Sequence, residues 1–319
     1  MKTPGKGQSG KRRNPQDGRT GQPSQGGPGD RRGGGRSQRG APRRFESDAR
    51  PSKDGQRTRG GRSERPKKPQ RPQVNVRGDL LYGRNAVRES LRAARRQATT
   101  LYIAEGVRDD ERIQEIIELA QHQEVLLERV PRMLLDDLAK GGNHQGVALD
   151  SGEFPYVDLE DILETEGTVV VMDHLSDPQN FGTLMRAADA SGVAGIVLPQ
   201  DRSVSVTPAV VNSSAGAIEH MTVALTPNLA RALDKLEASG RWIIGLDEDE
   251  ESNSLFEADI PTPVALVLGA EGTGLAPIVR KRCQMVISIP MLGHVDSLNA
   301  ATAGAIVLYD LLRRSQTET

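Results

Sequence analysis

Aromatic side chains are scarce in this chain of 319 residues: one Trp, four Tyr and four Phe, 3 % of the total. Cysteine is scarcer still. Cys283 stands alone, which excludes a disulfide framework and any multi-cysteine zinc module. The five histidines (His122, His144, His174, His220 and His294) never fall at metal-ligand spacing, so no metal is expected. No run of about 18 apolar residues exists, so no membrane partner or membrane-spanning helix is expected. The first residues also lack the apolar core of a secretory signal. A soluble, cytoplasmic protein is the expectation.

Net charge is nearly absent too, at -1, but only as a total. Residues 1–75 hold 21 Lys/Arg against 6 Asp/Glu, a net of +15. Residues 76–319 hold 21 against 37, a net of -16. The first segment also carries 15 of the 34 Gly and 9 of the 19 Pro, with Met1, Phe45 and Val74 its only sizeable apolar side chains. Such a composition cannot bury enough apolar surface to offset the entropy of ordering. Residues 1–75 therefore read as a disordered basic arm suited to sequence-independent phosphate contact, or as a plain solubilising tail. With so few aromatics, base stacking is not its mode.

Residues 76–150 read as a small α/β domain. Ala86, Val87, Leu91 and Ala94 line one face of a helix that places Arg88, Arg92, Arg95 and Arg96 outside. Strands are expected at 100–104, 124–127 and 145–149, with helices around Ile113–Ala120 and Met133–Leu138. The arginine-bearing face suits either phosphate or solvent. A linker is expected over 151–164.

Residues 165–319 read as a larger α/β domain. Strands are expected at 168–173, 195–198, 221–225, 242–246, 264–268 and 285–289, nearly all apolar and without alternation. That pattern belongs to strands covered on both faces, hence to a mostly parallel sheet. Helices are expected at 182–191, 207–217, 228–239, 276–282 and 297–313. Ligands of such sheets gather at the carboxyl ends of strands, where three loops stand out.

The first loop, HLSDPQNFGTLMR, follows TVVVMD. Asn180 is placed to cap the helix that Gly182 begins. Arg186, a little over one turn inside, is a cation disfavoured by the helix dipole; a phosphate would relieve it, as would solvent or a nearby Asp. The second loop, GAEGTGLAP, sets Gly269, Gly272 and Gly274 after a buried strand, where the backbone can approach a ligand closely. Its GxxGxG spacing is neither a dinucleotide fingerprint nor a P-loop, and Glu271 favours a hydroxyl- or amine-bearing ligand over phosphate. The third, ISIPMLGHVDSLN, places Ser297 as cap of the last helix. That helix, AATAGAIVLYDLL, is small and apolar on nearly every side, and is expected at a dimer seam.

Together, DPQNFGTLMRAADASG, LVLGAEGTG and ISIPMLGHVDSLNAATA resemble, in order, the three motifs of the SpoU (TrmH-type) RNA ribose 2'-O-methyltransferases of the SPOUT superfamily. LLYGRNAV and GGNHQGVA are similar to the RNA-binding domain of the RlmB-like 23S rRNA guanosine methyltransferases, so the resemblance spans about 78–314. It implies a deep C-terminal trefoil knot, S-adenosylmethionine as methyl donor and a homodimer. Carried over, cofactor contacts fall on Gly269, Ile289 and Leu298, with Leu268, Ala270 and Pro290 beside them. The motif residues are Asn180, Arg186, Glu271, Ser297 and Asn299. Thr183 stands where the family usually has Ala, and Asp296 where RlmB-like members often have a small polar residue.

A ribose hydroxyl is a poor nucleophile, so such a site must accept its proton and stabilise the oxyanion. A guanidinium stays protonated, which suits Arg186 to a phosphate and the developing alkoxide. Glu271 is the better proton acceptor, or fixes Arg186; Ser297 and Asn299 would orient the ribose. The expected partner is large-subunit rRNA. The alternatives are the same chemistry on tRNA, or a non-catalytic RNA-binding ribosome-assembly factor, against which the joint presence of the five motif residues argues.

Overall fold

A computed structural model describes residues 76–201, 203–248, 252–270 and 272–317; the expectations for the arm and for Glu271 lie outside them. The first part runs β1 (Asp79–Tyr82), α1 (Arg84–Ala93), β2 (Thr100–Ala104), α2 (Glu111–His122), β3 (Leu126–Val130), α3 (Arg132–Leu138) and β4 (Val147–Ser151). Its sheet has the order β1-β4-β2-β3, with β2 and β3 parallel and the other pairs antiparallel. Strand β1 was not expected: its four residues adjoin the apolar start of α1, and only pairing with β4 reveals them. Strand β3 begins later than the apolar run because Glu124 takes a left-handed φ of 56° to close α2. It is an edge strand, with Leu126 largely exposed.

The segment expected to be a linker holds the end of β4 and a short helix, α4 (Leu159–Leu163), whose Leu159 and Ile162 are buried. There follow β5 (Val169–Met172), α5 (Pro178–Ala190), β6 (Gly195–Pro199), α6 (Pro208–Ser213), a 3-10 turn (Ala217–His220), β7 (Val223–Thr226), α7 (Leu229–Ala238), β8 (Trp242–Leu246), β9 (Asn253–Ser254), β10 (Val264–Leu268), α8 (Pro277–Arg280), β11 (Met285–Ser288) and α9 (Ala300–Thr317). The seven strands pair in the order β7-β6-β5-β10-β8-β11-β9, every neighbour parallel. All residues of β5, β6 and β10 are buried, as unbroken apolar runs require. The short edge strand β9, which carries no apolar run, is the one strand of this sheet not expected.

Two helix starts differ from expectation. Helix α5 begins at Pro178, four residues before Gly182, and Asp177 caps it by accepting from Gln179 and Asn180 N–H at 3.2 and 3.1 Å. Proline suits that first position because its missing N–H would have been an orphan. Asn180 therefore lies in the first turn and is not the cap. Arg186 is the ninth residue of α5, beyond the reach of the N-terminal dipole, so the dipole gives it no reason to seek an anion. Helix α9 begins at Ala300, and Asn299, not Ser297, caps it. Its Oδ1 accepts from Ala301 and Thr302 N–H at 2.9 and 3.3 Å. Among the described residues no helix is long and apolar enough to cross a membrane.

Candidate active site

The loops after β8, β10 and β11 and the start of α9 enclose a cleft of about 510 Å³ at the carboxyl end of the sheet. Its making is clearest in the loop after β10. A Cβ at Gly269 would sit 2.3 Å from the carbonyl carbon of Gly274, so only glycine lets the two limbs meet. They are joined by Ala270 N–H to Gly274 O at 3.1 Å and Gly274 N–H to Ala270 O at 3.0 Å. Gly272 and Gly274 take φ of +77° and +63°, which L side chains adopt at a cost.

Two carboxylates from the strands flanking β10 hold the descending limb. Asp173, after β5 and 1 % exposed, accepts from Ala276 N–H at 2.6 Å. Asp247, after β8, accepts from Leu275 N–H at 3.3 Å, from Glu248 N–H at 3.0 Å and from Arg280 Nη1 at 3.2 Å. Charge-assisted bonds of this kind are the stronger ones, so the loop shape is fixed from both sides. Asp173 also pairs with Nδ1 of His174 at 2.5 Å, and His174 takes a left-handed φ of 63° to do so.

The cleft is lined by the apolar Leu246, Leu268, Ile289, Leu298 and Ala303 and by the acidic Asp247 and Glu248. The side chains of Asn299 and Asn180 meet there, Nδ2 of Asn299 donating to Oδ1 of Asn180 at 2.8 Å. One bond thus ties α9 to the first turn of α5. Cys283 lies outside the cleft lining, and burial pushes its thiol up to about 11, though Arg280 pulls the other way. Among the described residues no group of three His, Cys, Asp or Glu could hold a metal ion.

Comparison with known proteins identifies the architecture. Residues 167–309 match the SpoU rRNA Methylase family, and residues 80–157 match the RNA 2'-O ribose methyltransferase substrate binding family. A Staphylococcus haemolyticus protein, named for the TrmH family of tRNA/rRNA methyltransferases, is 37 % identical over 242 residues, covering 74 % of this chain and 95 % of the relative. The chain belongs to the SpoU (TrmH-type) methyltransferase family. A Bacillus subtilis member of the same description is 37 % identical over 242 residues, 74 % of this chain and 96 % of that one. Among solved structures, the AdoMet-bound rRNA methyltransferase of Sinorhizobium meliloti shares 25 % identity at a TM-score of 0.63, over 74 % of this chain and 87 % of that one. The SpoU methyltransferase AviRb of Streptomyces viridochromogenes, in complex with AdoMet, shares 26 % at 0.63, over 75 % and 90 %.

In this SpoU-family site, Leu268, Gly269, Ala270, Ile289 and Leu298 line the cleft, as do Ser297 and Asn299. Pro290 is exposed and outside the lining. Asn180 reaches the site through Asn299. Arg186 is exposed on α5 and outside the lining, and its guanidinium has no partner among the described residues. Sequence reasoning missed Asp173, Asp247 and Glu248. The signal available was an acidic residue directly after an apolar strand, in VVVMD and IIGLD. Of the arginines weighed for phosphate, Arg88 pairs with Glu89 and Arg92 with Glu89 and Glu115, while Arg95 and Arg96 bond to Met221 and Glu219 beyond the first sheet.

Proposed function

We propose that this SpoU-family RNA methyltransferase uses S-adenosylmethionine to methylate a ribose 2'-hydroxyl, with a guanosine of 23S rRNA as the target. The observation that carries the reading is the cleft. Its apolar lining suits an adenine, and Asp247 and Glu248 suit a ligand bearing a sulfonium and an ammonium. The missing Cβ of Gly269 draws the loop tight, so backbone groups rather than side chains form that wall. Leu268, Gly269, Ala270, Ile289 and Leu298 would hold the cofactor, with Pro290 backing Ile289. Two relatives of this fold, from Sinorhizobium meliloti and Streptomyces viridochromogenes, are described with AdoMet bound.

When bound, the cofactor supplies a methyl group on a positively charged sulfur. The chain must then bring a 2'-oxygen in line and take its proton. In this reading Asn180 and Asn299, already joined, orient the ribose with Ser297. Arg186, a cation with no partner among the described residues, contacts the adjacent phosphate and stabilises the developing alkoxide. Glu271 accepts or relays the proton, or fixes Arg186. A homodimer through α9 belongs to the same reading: Ala305, Tyr309 and Leu312 share a face, and Tyr309 is 50 % exposed. So does the trefoil knot, which the placing of β10 between the earlier strands β5 and β8 supports.

The test is methyl transfer to total RNA, with modified positions mapped in rRNA from cells with and without the protein. One 2'-O-methyl guanosine in 23S rRNA should vanish with the gene. Loss of a tRNA mark instead would move the target, and no change in any mark would sink the enzymatic reading. Arg186→Ala should cut transfer by about 10²-fold or more while cofactor affinity, read by titration calorimetry, stays within about twofold. Full activity in that variant overturns the role of Arg186.

A further inference from the structure

The two sheets meet through a buried ion pair. Arg96 follows α1 in the first part, and Glu219 lies in the 3-10 turn of the second; both side chains are 1 % exposed. Nε of Arg96 donates to the two Glu219 oxygens at 3.0 and 2.9 Å, and Nη2 donates to Oε1 at 2.8 Å. Nη1 turns back to its own part, donating to Asp79 Oδ2 at 2.8 Å and Gly152 O at 3.0 Å. The ring of Phe154 lies 5.2 Å from the guanidinium. Arg95 adds bonds to the backbone oxygens of Met221 and Glu219.

The surrounding contacts are close and directional. A Cβ at Gly216 would come 2.6 Å from Cβ of Glu89. Asn212 Nδ2 donates to Tyr82 O at 2.9 Å, and His220 pairs with Glu89 at 3.0 Å. The 3-10 turn and α6 thus lie between α1 on one side and α5, with Asn180 and Arg186, on the other. A buried pair is a weak source of stability but can specify one arrangement. The planar fork of arginine, with its donors used on both sides of the seam, fixes an angle that apolar contact alone would let slide.

We propose that Arg96 and Glu219 are positioning residues: they hold the first part at a single orientation on the catalytic sheet, so RNA gripped there is presented to α5 at a fixed distance. The proposal rests on the reading above for its substrate, and deepens it by naming what sets the register. RNA is then measured off by a rigid mount, not delivered by a part swinging on a linker.

The test uses the full chain in a Cys283→Ala background, with spin labels at Gln121→Cys and Glu237→Cys. Diluted into an excess of unlabelled protein, so that only distances within one protomer are read, the parent should give one narrow distance distribution by double electron–electron resonance. Glu219→Gln, and the apolar double variant Arg96→Met with Glu219→Leu, should give broad ones while still unfolding cooperatively. The double variant keeps the test open where the single one fails to fold. KM for RNA should rise about tenfold or more with cofactor affinity unchanged, and methylation should spread to neighbouring nucleotides. Narrow distributions in both variants overturn the proposal, as does cofactor affinity falling in step with RNA affinity. The distance measurement needs neither RNA nor cofactor. If the parent transfers no methyl group, the function falls while broadening would still uphold the mount.

Discussion

Asn299 shows how one side chain can hold two duties. Its Oδ1 caps α9, and its Nδ2 donates to Asn180 across the cleft. The two can be separated. Asn299→Asp keeps the capping oxygens and loses the donor; Asn299→Ala loses both. We expect Asn299→Asp to stay within a few tenths of a kcal/mol of the parent by denaturant unfolding, and Asn299→Ala to lose about 1 kcal/mol. Both should lose methyl transfer by about tenfold or more if the link to Asn180 orients the ribose. An active Asn299→Asp would leave the residue a cap and nothing else.

At the scale of elements, the site depends on how close helices and loops can come. Gly182 on α5 faces α6, and a Cβ there would sit 1.8 Å from Ser213 Oγ and 2.8 Å from Ser214 N. The hydroxyl can move; the backbone cannot. Gly182→Ala should therefore push α5 from α6 and cost about 1–3 kcal/mol by denaturant unfolding, despite the better helix propensity of Ala. An unchanged midpoint would mean that α5 shifts freely. The loop after β10 is held by Asp173 and Asp247 from opposite flanks. Asp247→Asn keeps the size but weakens the bonds to Leu275 and Arg280. Cofactor affinity should fall about tenfold, and titration calorimetry with S-adenosylmethionine would read it; an unchanged affinity would show that Asp173 suffices.

At the scale of the whole molecule, charge is divided: +15 in residues 1–75 and -16 in the rest. The arginines of α1, and Arg96 after it, are engaged in internal ion pairs, which leaves long-range attraction of RNA to the arm. Deleting residues 1–75 should weaken RNA binding and flatten the dependence of log affinity on log salt, without changing which nucleotide is modified. A slope equal to that of the full chain would make the arm a tail only.

The amino-acid sequence by itself determined the class of sheet, the three loops and the family. Those follow from unbroken apolar runs in β5, β6 and β10 and from short motifs whose chemistry is local. Through the resemblance carried by those motifs it also pointed to Gly269, Ile289 and Leu298, which line the cleft. The tertiary structure decided that Asn299 rather than Ser297 caps α9, that Asp173 and Asp247 grip one loop from two strands, and that Arg96 crosses to Glu219. The bonds of Asp247, Asp173 and Arg96 join residues 28, 103 and 123 positions apart, separations that carry no signal in the chain. Periodicity reports which face of an element is buried, and only folding chooses the partner that buries it.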